Sequence, residues 1–293
     1  MEIPGITFVK KLGEGGMSSV WKAWDANAQR FVAVKILNRE FSSSGEDVRA
    51  FRSEERLMEE IHHEGIVQAY DFDCVDGTWY FLMEYVDGYN FGQLLKRKQH
   101  VIEVDCLLIC QSVANALGYA WNDHGLVHCD IKPDNIMINM DGIVKVTDLG
   151  ISHRFQRRAQ SDGTVPDHIS GTPAYISPEQ IYGDVELDCR ADIYSLGATL
   201  FHLATGRVLF PGLDNETTMR GHCDEKSQAH DPRFYRPEIS EGFAQMLEAM
   251  LVKDRDGRLQ RWEDVIEMSR HVEAGNVFQP RESAGNSTIA LGN

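Results

Sequence analysis

Long hydrophobic runs are missing from this sequence. No stretch approaches the roughly 18 apolar residues that cross a bilayer, so no membrane segment is expected. The opening residues, MEIPGITFVKKLGEGG, lack the apolar centre of a secretory leader. Positive charge is also scarce. There are 29 Lys and Arg against 45 Asp and Glu, a formal net charge of −16. That balance argues against a sequence-blind nucleic-acid binder, which needs a basic face to displace counterions, while leaving room for a local basic patch. Cysteine pairing signals are absent too. Cys74, Cys106, Cys110, Cys129, Cys189 and Cys223 are scattered, with no C-x-x-C pair and no His at zinc-finger spacing. They read as free thiols in a reducing compartment, and a cytoplasmic location is the expectation.

What is present fits a folded chain. Apolar residues make up 42% and charged residues 25%, which rules out a wholly disordered polymer. The 293 residues allow one large domain or two modest ones. Residues 6 to about 86 are β-rich: ITFVKKLGEG, SSVWKAWDA and RFVAVKIL come first, and the third has the β-branched residues of a buried strand. A helical stretch follows, VRAFRSEERLMEEIHH, with Phe51, Met58 and Ile61 on one face. Two further strand segments, IVQAYDFDCV and TWYFLMEYV, are joined by the hairpin signal Asp76-Gly77.

After Asp87-Gly88 the texture turns helical. Residues 104–121 place Val104, Leu107, Leu108, Ala114, Leu117 and Trp121 along one stripe, with Gly125 as the stop. CRADIYSLGATLFHLAT, residues 189–205, is apolar around most of its circumference and reads as a buried helix. The last stretch is Gly-, Ser- and Asn-rich without a period and reads as a flexible tail. A small β-rich lobe thus precedes a larger helical one, with a cleft expected between them.

Three places carry chemistry. The turn Gly13-Glu14-Gly15-Gly16-Met17-Ser18 would let backbone N–H groups approach phosphate oxygens, although a glycine turn alone is more often just a turn. Lys35 sits on the apolar strand VAVK, where burial demands an anion, either phosphate or a carboxylate; Glu54, Glu55, Glu59 and Glu60 lie on the helix downstream. A lone strand-end lysine more commonly reaches solvent. The densest signal is VHCDIKPDNIMINMDGIVKVTDLG, residues 127–150. It sets Asp130, Lys132, Asn135 and Asp148 beside strand-like runs that turn at Asp141-Gly142. A carboxylate with a carboxamide can ligate Mg²⁺. The other Asp can orient a hydroxyl, and the lysine can neutralise a transferring phosphoryl group.

These motifs resemble, in order over roughly residues 6–270, those of the eukaryotic-type protein kinases, and especially the bacterial Ser/Thr kinases among them. The resemblance implies an α+β bilobal protein-kinase fold. Residues 1–86 would form a small five-stranded β lobe with one main helix, 87–272 a larger, mostly helical lobe, and 273–293 the tail. It implies ATP with Mg²⁺, or Mn²⁺ in its place. Nucleotide contacts would come from Leu12, Gly13, Glu14, Gly15, Gly16, Met17, Ser18, Val20, Ala33, Lys35, Met83, Glu84 and Val86. Met83 would be the gatekeeper, and Glu84 and Val86 the hinge whose backbone meets adenine. Lys35 would hold the α- and β-phosphates and pair with Glu54, or with Glu55 instead. Asp130 would be the catalytic aspartate, Lys132 the γ-phosphate lysine, and Asn135 and Asp148 the metal ligands.

The implied activity is phosphoryl transfer from ATP to Ser/Thr hydroxyls of protein substrates, including the chain itself in trans; no nucleic-acid partner is implied. A pseudokinase scaffold and a small-molecule phosphotransferase are the alternatives. Downstream, Gly171-Thr172-Pro173-Ala174-Tyr175 resembles the substrate-docking loop, with Thr172 bonding toward Asp130 and Lys132. Glu179 would pair with Arg258, and Asp192 would brace the catalytic loop. Ser161, Thr164 and Ser170 are candidate autophosphorylation sites, with Ser283, Ser287 and Thr288 further hydroxyls in the tail.

The chain departs from the family pattern at Ser18, Leu149 and Cys129. Ser18 replaces a glycine, and Leu149 a phenylalanine. Cys129 replaces the arginine that receives an activation-segment phosphate, so activity independent of such a phosphate is expected, with the thiol as an apolar filler. Asp134 stands where some kinases read basic residues, which would favour basic substrates.

Overall fold

The computed structural model describes residues 2–15, 18–38, 60–149, 171–184 and 186–275. Five antiparallel strands open the chain: β1 (Ile6–Glu14), β2 (Ser18–Asp25), β3 (Arg30–Leu37), β4 (Ala69–Val75) and β5 (Thr78–Glu84). They form one sheet in the order β1-β2-β3-β5-β4. The central strand, β3, buries Val32, Ala33 and Val34 in succession, as a strand covered on both faces must. Asp76 and Gly77 both take positive φ, 53° and 73°. That is the geometry a two-residue hairpin needs to follow the strand twist, and it sets Val75 opposite Thr78. One face of the sheet packs Ile3, Ala23, Val32, Val34, Tyr80 and Leu82 together.

The expected helix over residues 48–63 falls mostly outside the described residues, including Phe51, Glu54, Glu55, Met58 and Glu59. Ile61, at its end, is 1% exposed and packs into the core of the larger lobe.

The larger lobe begins with β6 (Gly88–Asn90) and helices α1 (Phe91–Lys98) and α2 (Glu103–His124). The short strands β7 (Ile136–Asn139) and β8 (Val144–Val146) follow and join β6 in a three-stranded sheet. They turn at Asp141-Gly142, where the Asn139 side chain accepts from the backbone N–H groups of Asp141 and Ile143. Then come α3 (Pro178–Tyr182), α4 (Cys189–Thr205), α5 (Asn215–Cys223), α6 (Glu241–Met250) and α7 (Trp262–Glu273). Gly125, with φ of 63°, caps α2 as expected.

The apolar stripe expected along α2 holds at Leu107, Ala114 and Leu117, which are buried, and needs correction at two positions. Val104 and Leu108 are 61% and 52% exposed. The buried face also takes in Cys106, Ile109, Cys110, Val113 and Ala120. At about 100° per residue, Val104 and Leu108 lie nearly half a turn from the centre of that face. Small residues, cysteine and alanine, let α2 approach its neighbours α4 and α7 closely. Helix α4 is buried along its length except at Arg190 and His202, as its all-round apolar sequence requires. Among the described residues, no helix is long and apolar enough to cross a membrane. The residues beyond 275, which contain most of the expected tail, are outside those described.

Candidate active site

Strand alternation puts much of the expected nucleotide surface on one face of the first sheet. Val20 pairs with Lys35 across β2–β3, and Ala33 pairs with Met83 across β3–β5. Directly opposed residues share a face, and so do residues two apart. All four side chains therefore face the same way. Gly13 and Glu14 end β1 opposite Val20 and Ser19, and Gly15 N–H donates to Ser18 O at 2.8 Å. A Cβ at Gly13 would meet nothing within 4 Å, so the backbone there is open to approach. Leu12 is 40% exposed on the same turn. Gly16 and Met17 lie outside the described residues.

The segment after α2 is held by its own backbone. Cys129 has φ of 65°, a left-handed conformation that costs a non-glycine residue roughly 1–2 kcal/mol. Asp192, on the buried helix α4, compensates. Its carboxylate accepts from the backbone N–H of His128 at 2.6 Å and of Cys129 at 2.8 Å. Burial pushes the Asp192 carboxyl up to about 6, against the pull of those two donors. Gln180 closes the turn by donating to the Cys129 carbonyl at 2.8 Å. The thiol of Cys129 is 1% exposed, and burial raises its pKa well above the ordinary value. It is an apolar filler, not a reactive thiolate.

Asp130 emerges from this turn into a dense set of partners. Lys132 Nζ reaches its Oδ2 at 2.6 Å and the Thr172 hydroxyl at 2.8 Å. Thr172 donates its backbone N–H and its hydroxyl to Asp130 Oδ1, at 3.1 and 3.0 Å. Asn135 Nδ2 donates to the Asp130 carbonyl at 2.9 Å and to Oδ2 at 3.1 Å. The expectation that Thr172 bonds toward both Asp130 and Lys132 is met.

Asp148 sits beside this group. Asn135 and the residue before Asp148 are tied by a backbone bond, Thr147 N–H to Asn135 O at 2.9 Å. Asp148 has φ of 58° and pairs with Lys35 at 2.5 Å, bridging the two lobes. Burial pushes the Asp148 carboxyl up, but Lys35 overrides it and holds the group below the usual range. In the described structure the partner of Lys35 is therefore Asp148; Glu54 is outside the described residues.

Among the described residues, no group of three or more His, Cys, Asp or Glu side chains could hold a metal ion. A magnesium ion asks for less, because it keeps several waters and takes phosphate oxygens. The pair present fits that need. Both hydrogen bonds of Asn135 leave from Nδ2, which leaves Oδ1 as an acceptor, and Asp148 is ionised at neutral pH.

Three residues were not singled out by sequence. His128 is fully buried, accepts from Asp130 N–H at Nδ1 and lies 2.7 Å from Thr147 O through Nε2. Gln180 fixes the carbonyl of Cys129, as described. Lys145 is 8% exposed, pairs with Glu84 at 2.9 Å and donates to the Glu64 carbonyl at 2.8 Å. The signal for Lys145 was available. It is a lysine on the apolar strand VKV, the same pattern that drew attention to Lys35. The Glu179–Arg258 pair forms as expected, with both side chains buried and contacts of 2.7 and 3.1 Å.

A bilobal fold with these groups gathered where the lobes meet defines a protein kinase domain. The chain belongs to that family, whose pattern matches residues 6–269. It is 35% identical over 257 residues to a Clostridium perfringens protein named probable serine/threonine-protein kinase, covering 87% of this chain and 36% of that one. It is 31% identical over 259 residues to the serine/threonine-protein kinase PrkC of Bacillus subtilis, covering 88% and 39%. The kinase domain of PknI from Mycobacterium tuberculosis superposes with a TM-score of 0.72 at 24% identity, over 92% of this chain and 97% of that one. The chain spans 36–40% of the length of the first curated relatives that it matches.

Proposed function

We propose that this chain transfers the γ-phosphoryl group of ATP to serine or threonine hydroxyls of protein substrates, itself included in trans. The observation that carries the reading is the convergence on one carboxylate, Asp130, of Lys132, Asn135 and Thr172. The Lys35–Asp148 pair stands next to it. Phosphoryl transfer asks mainly for positioning and charge neutralisation, and this arrangement supplies both.

The roles follow from chemistry and place. The glycine turn from Gly13 to Ser18 covers the phosphates with backbone N–H groups. Val20, Ala33 and Met83 wall the base, and the backbone at Glu84 and Val86 meets its edge. Lys35 moves from carboxylate to phosphate as nucleotide enters. Mg²⁺, or Mn²⁺, held by Asp148 and Asn135 would neutralise phosphate oxygens when bound. Asp130 orients the acceptor hydroxyl and takes its proton as the new O–P bond forms and the bond to the ADP oxygen breaks. Lys132 balances charge on the moving group.

Incubation with ATP and Mg²⁺ followed by phosphosite mapping tests the reading. Lys35→Met and Asp130→Asn should remain folded and lose about 10²–10³ in rate, the cost of removing one group aimed at developing charge. Near-normal turnover in either variant refutes the assignment. Transfer to free sugars or choline but to no peptide would favour a small-molecule phosphotransferase. Normal folding with no turnover of ATP would favour a scaffold.

A further inference from the structure

A cavity of about 670 Å³ opens against Pro133 and Asp134, in the segment that follows Asp130. Gly92 and Lys96 of α1, Asp134, Tyr175, His202 and Arg207 contribute to its walls. Asp134 is four residues from Asp130, and Tyr175 is three from Thr172. A polypeptide whose hydroxyl lies at Asp130 can reach this cavity with a neighbouring side chain, since an extended chain advances about 3.3–3.6 Å per residue.

The charge in this cavity is opposite to that of the protein. The whole chain carries −16, yet Lys96 and Arg207 both line the cavity and have no carboxylate partner among the described residues. A third cation, Arg236, is already matched by Glu238. The one acid in the wall, Asp134, lies against the first turn of α1. It lies so close over Gly92 that a Cβ there would collide with its carboxylate. Gly92 is the second residue of α1, where the helix dipole favours an anion. The ends of two helices bring the free cations together. Gly206, at the C-terminus of α4, sits against the carbonyl of Gln99, which caps α1. His202 adds a neutral donor: its Nδ1 lies 2.7 Å from the Tyr175 hydroxyl, and with the hydroxyl donating, Nε2 carries the ring proton.

We propose that this cavity is a specificity subsite for an anionic side chain of the protein substrate, a carboxylate or a phosphate ester close to the acceptor. The proposal rests on the protein-kinase reading above. It replaces the basic preference that Asp134 suggests in sequence, because that carboxylate faces a helix N-terminus and two unpaired cations share its cavity.

Peptides of equal length with a single acceptor serine test it, carrying Glu, phosphoserine, Ala or Arg at successive flanking positions. In the wild type, kcat/KM at one or more positions should be about tenfold higher with Glu or phosphoserine than with Ala, the effect of two partly exposed charge pairs. Gain with both anions supports a subsite for either source; gain with phosphoserine alone supports one for phosphate esters. Arg207→Glu and Lys96→Glu should each lower that ratio and improve the Arg peptide at the same position. Because the ratio is taken within each variant, loss of active protein cancels. A wild type indifferent to charge, a preference for Arg, or ratios unchanged in both variants overturns the proposal while the kinase reading stands. Transfer to no peptide at all removes the kinase reading and this one with it.

Discussion

Substituting Asp192 by alanine removes, among the described residues, the acceptor of two buried backbone donors, the N–H groups of His128 and Cys129. Each orphaned buried donor costs about 1–3 kcal/mol. Cys129 also holds a positive φ of 65°, a strain of roughly 1–2 kcal/mol. That strain is present with or without the brace, so the two donors set the expected loss at about 2–6 kcal/mol, a large part of the ~5–15 kcal/mol that keeps a domain folded. Urea unfolding followed by circular dichroism reads it. Asp192→Asn keeps one oxygen acceptor and should lose about half as much. Cys129→Gly in the Asp192→Ala background relieves the strain and should return about 1 kcal/mol. Turnover should fall in Asp192→Ala even where it is folded, because Asp130 follows Cys129 directly. A loss under about 1 kcal/mol with full turnover would refute the reasoning. The brace also has a pH signature. Burial raises the Asp192 carboxyl from 3.8 to about 6, so the folded chain binds this proton more readily than the unfolded one. The group's contribution to stability therefore grows as pH falls from about 6 toward its unfolded pKa, a trend that Asp192→Asn should lack.

Other consequences can be checked in the same way. Arg258→Leu leaves the buried Glu179 carboxylate without its partner and should cost about 3–5 kcal/mol in urea unfolding. The double variant with Glu179→Leu should recover part of that loss; an additive loss would contradict a paired role. Lys145→Met frees the Glu84 carboxylate behind the proposed adenine edge. It should raise KM for ATP about tenfold, the low end of what one charged hydrogen bond contributes, with kcat little changed; an unchanged KM would deny the coupling. With an apolar thiol at Cys129, phosphatase-treated and phosphorylated protein should turn over alike, and a large gain from one phosphate between residues 150 and 170 would overturn that expectation.

Much of the site was legible because its residues are close in sequence or sit on regular elements. Asp130, Lys132 and Asn135 lie within six residues, and the hairpin that carries Asp148 was marked by Asp141-Gly142. The sheet followed from alternating apolar strands and the Asp76-Gly77 turn. The α2 stripe was wrong at Val104 and Leu108 because hydrophobicity alone does not say which side neighbours cover. Cysteine and alanine make that face buried, and two larger apolar residues remain outside.

Sequence alone determined the element types and the strand turns, which rest on local periodicity, and its resemblance to the protein kinases pointed to the groups that meet at Asp130. Other partnerships were decided only by the tertiary structure. The pairing of Lys35 with Asp148, the tethering of Glu84 by Lys145, and the placing of Lys96 and Arg207 in the wall of one cavity each join residues 61 or more positions apart. Such contacts depend on how the sheet and helices pack, and packing is a property of the whole chain that no local pattern encodes.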